Sequence, residues 1–223
     1  MKYYISFTWN NRDLNYLEFK NLNIKFIDRL KSEFSEFNNL FFLKSGDEVV
    51  SNEQRIDESI YFEVNDKDVA YINSEKTNKE LLDESKSPFG FSLSYSTRKE
   101  INHLGILCTL FGGMDGGFGG GKIDFLYSLN TDEIFDLAKK LLTLIITFFE
   151  PDFANFTTNE IQKEVKVKGI RDTAGIYTYF GKEVNIIVPN GYSATPVLGK
   201  DCLVSPTFDK EISIEKIKQL QAR

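Results

Sequence analysis

Ile101-Asn102-His103-Leu104-Gly105-Ile106-Leu107-Cys108-Thr109-Leu110-Phe111, then the glycine-crowded run Gly112–Gly121, then Ile123–Phe149, is the stretch whose reading decides the fold. The first part is a strand with apolar residues on both faces: Leu104, Ile106, Cys108 and Leu110 on one, Leu107 and Phe111 on the other. Such a strand belongs inside a sheet covered on both sides. A second strand alternates Ile123, Phe125, Tyr127 and Leu129 with Asp124 and Ser128. The spacing then predicts a long buried helix over about 131–149. Asn130 with Glu133 three residues on makes a capping-box-like start, and Pro151 forces the chain out of helical geometry at the other end.

Working outward, Tyr3, Ile5, Phe7 and Trp9 alternate with Tyr4, Ser6 and Thr8, the period of a half-buried strand. From about 22 to 37 the period becomes helical, with Phe26, Ile27, Leu30, Phe34 and Phe37 on one side. Leu40–Leu43 is a short strand. Phe89, Phe91, Leu93 and Tyr95 alternate with serines, and the turn at Thr97–Glu100 predicts antiparallel pairing with the central strand. A short run at Phe153–Thr157 and a helical piece at Asn159–Val167 follow. Ile176–Phe180 and Val184–Val188 read as a hairpin with Gly181-Lys182 at its tip, and Val197–Val204 as a further strand. Ser213 caps a C-terminal helix over about 213–222. The expected fold class is α+β, a mainly antiparallel sheet with three helices, in a single domain over 1–223.

Charge is unevenly placed. Between Asp47 and Glu84 twelve acids face four bases, net −8, while the rest of the chain carries net +2. A segment of that kind repels nucleic acid and steers a basic partner. It also fits a solvated excursion or sub-layer that keeps the protein soluble. The two cysteines, Cys108 and Cys202, have no CxxC spacing, so neither zinc nor a disulfide framework is suggested, and a cytoplasmic location is expected. No signal-peptide core opens the chain, and the densest apolar run, Leu141–Phe149, is far short of the roughly 20 residues of a membrane span.

Reaction chemistry is not evident. Seven of the fifteen glycines lie in 112–121, and Gly116–Lys122 spells G-x-x-x-x-G-K. The next residue is Ile123, not Ser or Thr, and a strand follows where a phosphate loop needs a helix N-terminus. The run is expected to be a flexible hairpin loop whose glycines relieve backbone strain, or a binding loop that moulds to a partner. His103 is the one histidine, and Cys108 five residues on in the same strand points to the opposite face, so no dyad forms. No serine sits in a G-x-S-x-G elbow. Catalytic, cofactor-binding and metal-binding residues are therefore expected to be none.

The order of features resembles the immunity protein 52 family, encoded beside toxins of bacterial polymorphic-toxin and type VI secretion systems. The residues that carry the resemblance are Leu40-Phe41-Phe42-Leu43-Lys44-Ser45-Gly46, then Phe149-Glu150-Pro151-Asp152-Phe153-Ala154, similar to an aromatic-x-Pro-Asp-aromatic junction, then Gly175-Ile176-Tyr177-Thr178-Tyr179-Phe180, similar to a glycine-led Thr-Tyr-Leu strand. Phenylalanine replaces tryptophan at the junction, and Phe180 replaces leucine. The resemblance implies a cytoplasmic immunity protein, not an enzyme, that binds and neutralises a cognate toxin, a nuclease of restriction-endonuclease-like fold. Combined with the charge pattern, it makes Asp57, Glu58, Glu63, Asp66 and Asp68 of the acidic segment and Met114, Asp115 and Phe118 of the glycine run the expected partner contacts. The rival readings are a metal-dependent α+β enzyme using carboxylates and a self-associating structural protein of a mobile element.

Overall fold

A computed structural model describes residues 2–10, 12–49, 56, 59–63, 90–98, 105–114, 117–126, 131–167, 172–181, 186–198, 202–207 and 212–221. In chain order the elements are β1 (Tyr3–Trp9), α1 (Tyr16–Glu33), a 3-10 turn (Ser35–Phe37), β2 (Phe41–Phe42), β3 (Tyr61–Glu63), β4 (Gly90–Ser96), β5 (Ile106–Met114), β6 (Phe118–Phe125), α2 (Thr131–Phe149), β7 (Phe153–Thr158), α3 (Asn159–Val165), β8 (Tyr177–Phe180), β9 (Tyr192–Pro196), β10 (Cys202–Pro206) and α4 (Ile214–Gln221). The architecture is α+β, and every strand pair whose register is described is antiparallel. The chain gathers into two compact units, one of Met1–Thr8 with Ile123–Arg223, the other of Trp9–Lys122.

The first unit is built on the strand order β1-β7-β8-β10-β9. All six residues of β7 are buried, as suits a central strand between β1 and β8. On one face Phe156 is fully buried among Tyr3, Phe125, Phe135 and Tyr177, with ring centroids 5.3–6.0 Å apart. Helix α2 supplies Phe135 to this cluster and packs Phe149 against Phe7, centroids 4.9 Å apart. Its ten buried side chains, Ile134 to Phe149, form the broad apolar stripe predicted for it. It ends where Glu150 turns to φ 43°, because Pro151 disfavours helical geometry in the residue before it. Asn130, the expected cap, lies outside the described residues.

On the other face polar groups fasten the chain leading into β8. Ser6 Oγ donates to Asn155 Oδ1 at 2.7 Å, Asn155 Nδ2 and Gln162 Nε2 both donate to the Thr173 carbonyl, and Thr8 Oγ1 donates to Asp172 at 3.3 Å. Buried polar groups of this kind are kept only when partnered, so the node specifies one path for 172–176.

The expected hairpin 176–188 is not what forms. Strand β8 pairs with β7 on one side and β10 on the other, leaving no edge for Val184–Val188. Residues 182–185 lie outside the described residues and 186–189 carry no strand. Gly181 sits where it does because a Cβ there would lie 2.1 Å from the Pro151 carbonyl oxygen, not because it forms a hairpin tip. Of the strand expected at 197–204, residues 202–204 fall in β10, which pairs with the unexpected β9, whereas 197 and 198 carry no strand and 199–201 lie outside the described residues.

In the second unit, β2, β4, β5 and β6 follow one another, with β3 also on β4. Helix α1 starts at Tyr16, six residues before the periodic pattern begins. Asn15 Oδ1 accepts the Glu18 N–H at 2.8 Å and Glu18 Oε2 accepts the Asn15 N–H at 2.9 Å, a complete capping box. Helix geometry stops at Glu33, and Phe34 and Phe37 are buried from the turn beyond it. The helix lays Phe19 on Phe91 of β4, centroids 5.7 Å apart, with Tyr16 edge-on to the same ring. Strand β5 is less enclosed than expected. Ile106, Cys108 and Leu110 are buried, whereas Leu107, Thr109 and Phe111 on the opposite face are partly exposed.

Candidate functional site

The candidate site is the end of the second unit where β5 turns into β6. The sequence predicted a flexible loop over Gly112–Gly121, and the structure corrects this. Gly112, Gly113 and Met114 finish β5, and Phe118–Gly121 begin β6, so strand geometry occupies most of the run. Three of the glycines, Gly112, Gly113 and Gly119, let other groups approach the backbone closely. A Cβ on Gly119 would fall 2.5 Å from Trp9 Nε1, one on Gly113 2.6 Å from the Phe91 ring, and one on Gly112 3.3 Å from both Leu14 and Phe19. The Arg12 backbone N–H donates to the Gly117 carbonyl at 2.9 Å, and the Arg12 guanidinium stands 5.7 Å from the Trp9 ring centre. Three residues ahead of α1 thus each meet a glycine of the hairpin: Trp9 at Gly119, Arg12 at Gly117, and Leu14 at Gly112 and Gly113.

That packing makes a measurable prediction. Trp9 is the sole tryptophan of the chain and is 1% exposed. Gly119→Ala must displace its indole, so it should cost roughly 1–3 kcal/mol and shift the emission maximum to longer wavelength. An unchanged spectrum with unchanged stability would refute the close packing.

The opposite face of the hairpin is different. Phe111 and Phe118 are partly exposed and pack on each other, centroids 5.6 Å apart. Alternation along each strand places both rings away from Leu14, Phe19 and Trp9. Ser94 and Thr109 share this face, their hydroxyls 2.9 Å apart. The surface is therefore a small aromatic pair beside a row of hydroxyls.

Of the expected contacts, Phe118 opens β6, Met114 closes β5 and Glu63 closes β3. Asp57, Glu58, Asp66, Asp68 and Asp115 lie outside the described residues, as does His103. The ladder brings Glu63 and the glycine run to one place. Glu63 pairs with Gly90, and Phe91 pairs with Gly112, so Glu63, Gly90 and Gly113 fall at one level of the sheet. Two strand spacings put the backbones of Glu63 and Gly113 about 10 Å apart. The aromatic pairing of Phe111 with Phe118 was the residue feature missed in the sequence, where the intervening glycines drew attention to flexibility.

Titratable groups elsewhere have structural explanations. Tyr4, in the first unit, has its phenol pushed up to about 12 by burial, then by the nearby Asp124 and Glu160 carboxylates. Tyr95 in β4 is fully buried, and burial raises its phenol well above the usual value. A raised phenol pKa means that the folded chain holds a proton the unfolded chain releases. Stability present below pH 10 is therefore lost as pH rises through about 12. We expect alkaline unfolding in that window, followed by absorbance at 295 nm and circular dichroism together. Tyr4→Phe should retain about 1–2 kcal/mol of the stability otherwise lost there.

Among the described residues no group of three or more His, Cys, Asp or Glu side chains could hold a metal ion, and no helix is long and apolar enough to cross a membrane. Cys108 is buried and Cys202 half-buried, and neither forms a disulfide. Compared with models of known protein families and with curated proteins, the chain matches none.

Proposed function

We propose that this chain is an immunity protein that binds a toxin protein in the cytoplasm and blocks it, transforming no substrate of its own. The toxin it would meet is a basic, nuclease-like protein. The observation that carries the reading is that the two segments most similar to the immunity protein 52 family lie side by side. Phe153 and Ala154 of the aromatic-Pro-Asp junction pair with Phe180 and Tyr179 of the glycine-led strand. Gly175 at the head of that strand closes on the Phe156 carbonyl oxygen, where a Cβ would stand only 2.6 Å away. Motifs that are distant in sequence and joined in one ladder behave as a single signature. The net −8 between Asp47 and Glu84 supports a basic partner, because a nuclease presents positive charge to phosphate.

The test is a growth rescue. The C-terminal domain encoded by the adjacent reading frame should arrest growth when expressed alone, and co-expression of this chain should restore it. The two should also co-purify. An adjacent product that is harmless, or lethal whether or not this chain is present, would overturn the proposal.

A further inference from the structure

Strand β9 ends the order β1-β7-β8-β10-β9, so among the described residues its outer edge faces no other strand. Such an edge is a template on which a further strand can add through its backbone. Which groups of β9 point outward follows from its register. Tyr192 stands opposite Pro206, so Gly191 stands opposite Thr207, and the Thr207 N–H donates to the Gly191 carbonyl at 2.8 Å. Bonded and non-bonded rungs alternate along an antiparallel pair. Gly191, Ser193 and Thr195 therefore bond to β10, while Tyr192, Ala194 and Pro196 turn their backbone groups outward. The Tyr192 N–H is already used: it donates to the Pro189 carbonyl at 3.0 Å, closing a turn whose third residue, Gly191, has φ of +83°. Pro196 has no N–H at all. Only Ala194 keeps an outward donor.

We infer that the β9 edge is closed against strand addition, and that Pro196 is the residue that closes it. The strand nearest to hand is β9 of a second copy. Its side chains would not prevent pairing, since Tyr-Ser-Ala-Thr-Pro carries no charge and Ser193 to Pro196 are exposed. The backbone does prevent it. In an antiparallel pair about a two-fold axis, Ala194 meets Ala194, and Tyr192 of each copy meets Pro196 of the other. The central rung bonds, and both flanking rungs lack every donor. Even complete two-stranded pairings are marginal in water, so one bonded rung does not hold two molecules together. This closure is independent of the proposed inhibitory role.

Pro196→Val tests it. The variant restores one outward N–H per copy, aimed at the Tyr192 carbonyl of the other, and leaves the β10 ladder intact. In sedimentation velocity over a concentration series it should self-associate at a concentration about 10-fold or more below that of the unaltered chain. Thr195→Val adds a β-branched apolar residue without an outward donor, and should sediment like the unaltered chain. Amide exchange reads the same geometry. In the unaltered chain Ala194 should exchange fast and Ser193 and Thr195 slowly, whereas in Pro196→Val the Ala194 amide should become protected as concentration rises. A folded Pro196→Val that sediments like the unaltered chain would overturn the inference, as would slow Ala194 exchange in the dilute unaltered chain. If Pro196→Val does not fold, the Ala194 exchange of the unaltered chain decides.

Discussion

Phe156→Ala is expected to cost about 4 kcal/mol of folding stability, the largest effect of any truncation in the first unit. The ring is 0% exposed and touches four others. Tyr3 and Tyr177 stack on it at 5.4 Å, and Phe125 and Phe135 meet it edge-on at 6.0 and 5.3 Å. These come from a strand at the start of the chain, from β6, from α2 and from β8. Truncation removes the transfer energy of the ring, leaves a void that four stiff aromatics cannot fill, and forfeits the ring–ring geometry. In a chain of this length the melting temperature should fall by roughly 10–15 °C. Phe156→Leu, which fills part of the volume, should cost less than half as much. A loss below about 1 kcal/mol for the alanine variant in urea titration would show that the cluster does not hold the unit together.

Gly181→Ala should be nearly as damaging, about 3 kcal/mol, although it adds only a methyl group. The added carbon would lie 2.1 Å from the Pro151 oxygen and 3.1 Å from the Asp152 Cα. Both are backbone atoms, so no side chain can swing aside. Relief requires separating β8 from the turn that leads into β7, where the Gly181 N–H donates to the Asp152 carbonyl at 2.9 Å. Gly46→Ala is the control. Its φ is +70° but nothing lies within 4 Å, so only the conformational penalty of about 1 kcal/mol applies. Equal losses for the two variants, in matched denaturant titrations, would refute the steric explanation for Gly181.

These two glycines show why parts of the sequence were legible and others not. Helix α2 was readable to the residue because its stripe of Ile134, Leu137, Ala138, Leu141 and Ile145 and its stop at Pro151 are local signals. Strands β1 and β7 and helix α3 were readable for the same reason. The start of α1 was written in Asn15 and Glu18, but the helical period is clear only after Leu22 and drew the boundary there. Gly181 and the run 112–121 were misread because a glycine kept for close approach looks, in sequence, like one kept for a turn. The distinction depends on Pro151 and Trp9, 30 and more than 100 residues away in the chain. For the candidate site, Met114 and Phe118 were singled out in the sequence through glycine content. The level shared by Glu63 and Gly113 follows from strand register, which no local pattern encodes.

The two units differ in how their residues are distributed along the polypeptide, and biosynthesis must respect that difference. Trp9–Lys122 is continuous, so its native contacts can form as soon as that span has left the ribosome. The other unit begins at the chain's start and is finished only after Ile123. Ser6 bonds to Asn155, 149 positions later. At a translation rate of about 5–20 residues per second, the nascent first strand waits roughly 7–30 s for its partner β7 to emerge. Throughout that interval Ile5 and Phe7 have no β7 beside them, so the opening strand stays apolar and unpaired on that edge until the second half of the polypeptide is made.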